Sequence, residues 1–234
     1  MNNLKNKLYE KILKHRPRTS RLLNEFGTKV IDKVTIEQVI GGMRGIKSLV
    51  TDISYLDPME GIRYRGYTLP EVLEKLPKPK GAEMPYVEGL YYLLLTGDIP
   101  TSTEVEELVV DFNNRRTLPQ YVRNVIDAFP SESSPMAILS AAVMSLERES
   151  LFSTKYKQGM SKLDYWDATY EDAMNLLSKM PVIGAYIYNK LYHPEKGHRF
   201  CDPKLDLGAN FAYMMGKDKP YDDVSRMYFI IHAD

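Results

Sequence analysis

Cysteine is nearly absent from this 234-residue chain: Cys201 stands alone, so no disulfide can form within it and nothing supports an oxidising compartment. A reducing cytoplasm fits that usage, or the mitochondrial matrix if the source is a eukaryote. Long apolar runs are missing too. The longest, Val182 to Tyr188 and Met227 to Ile231, fall far short of the roughly 18–20 residues of a membrane span, so no membrane is expected as a partner. Met1 to Leu13 alternates Asn and Lys with Leu and builds no apolar core, unlike a secretory signal, and Glu10 with the preference for Lys over Arg counts against a mitochondrial presequence. Nor is there a charge excess. The 31 Lys and Arg cancel 31 Asp and Glu, which leaves no global field to attract nucleic acid.

Histidine is scarce; His193, His198 and Cys201 lie near one another in sequence, but in a stretch with Pro194, Lys196 and Gly197 that reads as a surface loop rather than a metal or catalytic site, so no metal site is expected. His193 and His198 read as residues of a surface loop, His232 as a core histidine and Cys201 as a plain semi-buried thiol. Nucleophile-elbow, P-loop and dinucleotide-binding glycine patterns are all missing. What the chain has is apolar content, 44% of its residues, enough for a substantial buried core without disulfide or metal support.

Periodicity places that core mostly on helices. Leu4, Leu8 and Ile12 predict an amphipathic helix over about 3–15 that ends before Pro17. Residues 1–33 carry nine Lys and Arg against three acids, which reads as a solvated basic arm. A second helix is expected from Val30 to Ile40. Between 48 and 67 the period shifts towards two, around Asp57 to Gly61, and predicts a small hairpin. Thr68 to Glu71 has the N-cap, early Pro and N3 Glu of a helix start, and further helices are expected over Glu88–Leu95, Thr101–Arg116, Pro119–Phe129, Ser134–Arg148, Tyr165–Lys179, Val182–Tyr192 and Asp222–His232. Pro181 separates the long pair. The final helix reaches Asp234 without a Gly, Asn or basic last turn, so it reads as cut rather than finished.

One segment stands out chemically. In Gly41-Gly42-Met43-Arg44-Gly45-Ile46-Lys47 the glycines free the backbone for close approach, and Arg44 and Lys47 could hold an anion such as phosphate; a turn with two solvated bases explains the same pattern.

The order of several segments resembles the eukaryotic-type branch of the citrate synthase family. These are Gly41-Gly42-Met43-Arg44-Gly45, Leu56-Asp57-Pro58 with Glu60-Gly61-Ile62-Arg63-Tyr64-Arg65-Gly66, Glu88-Gly89-Leu90, Leu94-Leu95-Thr96-Gly97, Leu139-Ser140-Ala141-Ala142-Val143, Tyr165-Trp166 with Tyr170-Glu171-Asp172, and Ile231-His232. The resemblance implies an all-α fold, with 1–234 forming a large helical domain, and a second, small domain beyond Asp234. It implies a homodimer that condenses acetyl-CoA with oxaloacetate, with coenzyme A as a substrate moiety and no permanently bound cofactor. Arg44 falls where the family contacts the phosphates of coenzyme A across the subunit boundary. Lys162 stands where a second phosphate-contacting arginine is usual, keeping the charge without the planar fork. The family's catalytic histidines and aspartate and its substrate arginines lie beyond the Ile231-His232 match. Residues 1–234 alone are therefore expected to be inactive. A 2-methylcitrate synthase and a non-catalytic helical dimerisation module are the alternatives.

Overall fold

The computed structural model describes residues 3–46 and 50–233. Its first helix, α1 (Asn3–Phe26), runs past Pro17, where the sequence pattern predicts a stop. The carbonyl that Pro17 leaves without an amide is that of Leu13, which is exposed, so water can take the missing donor's place. The basic arm is also more than solvated: Lys5 pairs with Asp167 and Glu171, Lys7 with Glu104, and Lys11 with Asp98, so three lysines clamp α1 to the helices Ser102–Arg115 and Tyr165–Tyr192 and to the connection at Asp98.

The helix expected over 30–40 shrinks to α2 (Ile36–Ile40). Thr35 and Gln38 form a capping box there, while the β-branched Val30, Ile31 and Val34 stay exposed and have no buried face to hold a helix. Next come β1 (Ser54–Asp57), β2 (Gly61–Tyr64) and β3 (Tyr67–Thr68), an antiparallel sheet with Asp57 opposite Gly61 and Tyr64 opposite Tyr67. Asp57 Oδ1 accepts from the amides of Met59 and Glu60 and closes the first turn. This is the expected hairpin with one extra short strand.

The remainder is helical: α3 (Leu69–Lys75), α4 (Val87–Thr96), α5 (Ser102–Arg115), α6 (Gln120–Asp127), α7 (Pro135–Ser145), α8 (Leu151–Lys157), α9 (Tyr165–Tyr192), α10 (Leu207–Met214) and α11 (Tyr221–Ile231). Capping boxes of Thr68 with Glu71 and Thr101 with Glu104 start α3 and α5. The sequence pattern missed α8 and α10, and it split α9 at Pro181. That helix is continuous because each half is buried in a different cluster: Tyr170 and Met174 pack with Leu4, Val87, Leu108 and Phe112, whereas Ile183 and Ile187 pack with Val122, Ile126, Ile138 and Ala142. Four buried side chains at about 1.5–3 kcal/mol each outweigh the roughly 3 kcal/mol that an interior proline costs. A third cluster joins the sheet to α3, α4 and α11 through Tyr64, Val72, Leu90, Leu93 and Ile230. Among the described residues no helix is long and apolar enough to cross a membrane.

Candidate functional site

Arg44 lies in the turn that follows α2. Gly42, Met43 and Gly45 there adopt φ of 76°, 65° and 72°, so the chain reverses on left-handed backbone; a Cβ at Gly42 would meet nothing, and the demand is for conformation rather than space. The Arg44 side chain is exposed and makes no hydrogen bond or ion pair among the described residues, which leaves the whole guanidinium fork for an anion. Lys47, its expected companion, lies outside the described residues.

Lys162 begins a single 3-10 turn, Lys162–Asp164, between α8 and α9. Ser161 caps that turn by accepting from the Leu163 amide, Arg16 of α1 donates to the Leu163 carbonyl at 2.7 Å, and Tyr9 stacks on Trp166 with ring centres 5.0 Å apart. Alongside runs a groove lined by Tyr9, Lys155, Met160, Trp166 and Asp167. Lys162, like Arg44, is exposed and unpaired among the described residues. Arg44 and Lys162 have no contact with each other, and no pocket joins them among the described residues.

Sequence reasoning missed a buried ionic cluster at the end of the chain. Asp206 caps α10 by accepting from the amides of Gly208 and Ala209, and Arg226 of α11 grips the same carboxylate with Nε at 3.1 Å and Nη2 at 2.7 Å. The other arm of Arg226 donates to Asp223, which also accepts from the amides of Glu83 and Met84. Glu88 of α4 accepts from the Leu207 amide at 2.8 Å. Burial and the neighbouring Asp206 charge push the Glu88 carboxyl well above its ordinary range, against the pull of the Leu207 amide and Arg116. Gly208 is glycine because a Cβ there would come within 2.5 Å of the Arg226 Cγ. The only local signal was the Asp206-Leu207-Gly208 start of a helix; the partners lie in distant segments.

This cluster and Tyr64 fix where α11 ends. The Tyr64 hydroxyl, fully buried, lies 2.8 Å from the Ile230 carbonyl and 3.2 Å from that of Ile231. His232 follows, and the structure corrects its expected core position. It is exposed at the end of the helix, with Nδ1 2.8 Å from the Tyr228 carbonyl and its ring 4.4 Å from that of Tyr228. His193 and His198 lie in the loop after α9, the first 3.0 Å from the Tyr188 hydroxyl and the second stacked on Tyr186 at 3.6 Å. Cys201 is half-buried against Met214, and burial pushes its thiol up. No three metal-ligating side chains come together among the described residues.

The model of the citrate synthase C-terminal domain family matches residues 42–234. The chain belongs to the citrate synthase family. A probable mitochondrial citrate synthase of Caenorhabditis elegans is 42% identical over 99% of the chain, and a mitochondrial 2-methylcitrate synthase of Yarrowia lipolytica is 44% identical over the same share. Each alignment covers 50% of the relative, so the chain spans about half the length of the curated citrate synthase relatives it matches. The solved citrate synthase of Pyrobaculum aerophilum superposes with a TM-score of 0.70 at 27% identity, covering 88% of the chain and 50% of that structure. The citrate synthase of Thermoplasma acidophilum, solved in a ternary complex with carboxymethyl coenzyme A and oxaloacetate, shares the fold with a TM-score of 0.64 at 20% identity, over 85% of this chain and 47% of that one.

Proposed function

We propose that the whole protein is a citrate synthase that condenses acetyl-CoA with oxaloacetate to give citrate and coenzyme A. The observation that carries this reading is the 42% identity to a probable citrate synthase over 99% of the chain. Within the chain, Arg44 and Lys162 hold phosphates of coenzyme A. Both are exposed cations without a protein partner, and Arg44 sits on a turn whose backbone can approach a bulky anion closely. The part played by residues 1–234 is to bind and to position. Asp206, Arg226 and Tyr64 fix the end of α11, from which the family's active-site segment continues. The groups that move protons and stabilise the enolate lie beyond Asp234 by family resemblance, and the chain alone is inactive.

The protein works as a homodimer in a reducing compartment, the mitochondrial matrix if the source is a eukaryote. Two surfaces support a dimer. Helix α7 turns Met136 and Met144 outward on either side of Ser140, and Val30, Ile31, Ile36 and Ile40 line an exposed stretch leading to Arg44. A large helical domain over 1–234 and a small domain beyond it complete the proposed organisation.

The 44% identity to a 2-methylcitrate synthase favours a second reading, in which propionyl-CoA is the acyl donor. Thiol release by the complete protein from acetyl-CoA and propionyl-CoA, each with oxaloacetate, separates the two. Higher kcat/KM for acetyl-CoA is expected; preference for propionyl-CoA selects the second reading, and no thiol from either donor defeats both.

A further inference from the structure

A cavity of about 200 Å3 lies where the loop after α9 crosses the end of α5 and the flank of α9, and it collects polar atoms that have nothing to bond. Arg116, 5% exposed, uses its Nε on the Phe112 carbonyl at 3.4 Å but has no partner for Nη2. The Asn113 side-chain amide donates to the carbonyls of Pro203 and Leu205, leaving its Oδ1 buried and unpartnered. His198 Nδ1 is in the same state. Six buried side-chain polar atoms lack a partner among the described residues, and three of them belong to residues lining this one hollow. Each such atom costs about 1–3 kcal/mol, so their gathering marks a place for a hydrogen-bonding guest.

The lining also states the guest's charge. Among the described residues Arg116, Arg123 and Arg199 face the cavity and no carboxylate does. Arg123 donates twice to the Leu118 carbonyl, and Arg199 lies over the Tyr213 ring with no hydrogen bond of its own. The acids whose fields reach the site are Asp127, beside His198, and Glu88, beside Arg116. Leu118, Val182 and Tyr186 supply an apolar wall. With roughly 30 Å3 per water in the liquid, the volume suits a guest of about six or seven water-sized units, the scale of a ring bearing a carboxylate.

We propose that this cavity binds a small hydroxycarboxylate with an apolar body. Its carboxylate meets Arg116 Nη2, the Arg199 guanidinium and the His198 N–H, its hydroxyl donates to Asn113 Oδ1, and its body packs on Tyr186 and Leu118. Titration calorimetry of 3-hydroxybenzoate into the complete protein, joined to a crystal soaked in the same compound, tests this. Saturable binding of one molecule per chain is expected, weaker by about tenfold in Arg116→Gln and by about threefold in Arg199→Ala, with benzoate binding less tightly than its hydroxylated analogue. Arg199 is exposed, so its variant folds even if the Arg116 variant does not. No saturable heat up to about 10 mM, affinity unchanged in the Arg199 variant, or a soaked crystal with only ordered water in the cavity each overturns the proposal.

Discussion

Replacing Arg226 by methionine tests whether the buried ionic cluster holds the end of the chain in place. Arg226 and Asp206 each expose only 6% of their side chains, and the substitution leaves the Asp206 carboxylate buried with no counter-ion. Breaking one side of such a pair costs about 3–5 kcal/mol. The lost contact to Asp223 adds about 1 kcal/mol or less, because that carboxylate is a quarter exposed and keeps the Glu83 and Met84 amides. At roughly 2–4 °C per kcal/mol for a chain of this size, the melting temperature followed by circular dichroism should fall by about 6–24 °C. Adding Asp206→Asn removes the stranded charge and retains a side chain that can cap α10, so the double variant should recover to within about 1–2 kcal/mol of the parent. A single-variant loss below about 1 kcal/mol, or a double variant no more stable than the single, refutes the idea that an uncompensated carboxylate is the cause.

Other consequences are as direct. Gly208→Ala should destabilise the protein by about 1–3 kcal/mol in urea unfolding, since the new methyl would stand 2.5 Å from the Arg226 Cγ and 3.1 Å from its backbone; an unchanged midpoint would mean that α10 and α11 separate freely. Burial tends to raise the Glu104 carboxyl, but Lys7, the Thr101 amide and the Tyr92 hydroxyl hold it down to about 2, well below its unfolded value. It therefore contributes stability that is present above pH 4.5 and is lost as pH falls towards 2, so acid unfolding curves of Glu104→Gln should be flatter than the parent's across that window. In the complete enzyme, Arg44→Ala should raise the acetyl-CoA KM by about tenfold with kcat little changed, Lys162→Ala by less, and an unchanged KM in both would remove these residues from the coenzyme A contact.

Much of the fold is legible in the sequence because its signals act over three or four residues. Thr68 with Glu71 and Thr101 with Glu104 start helices, since each cap bonds amides of its own first turn. The hairpin around Asp57 to Gly61 follows equally from a local turn and alternating side chains. Arg44 and Lys162 stand out from residue type and resemblance alone, and the structure adds that both are exposed. The cavity at Arg116, by contrast, has no sequence signature, because its lining comes from α5, α6, α9, α10 and the loop after α9.

By itself the sequence determined where helices can begin, which faces are apolar and which family the motifs resemble. Only the tertiary structure decided that α9 runs through Pro181, because the reward for doing so is burial against helices about 40–60 residues earlier in the chain. It alone decided that Lys5, Lys7 and Lys11 clamp a helix instead of facing solvent, and that Glu88, Asp206 and Arg226 share one buried site. Charge pairing and desolvation depend on distance in space, which local spacing along a chain does not encode.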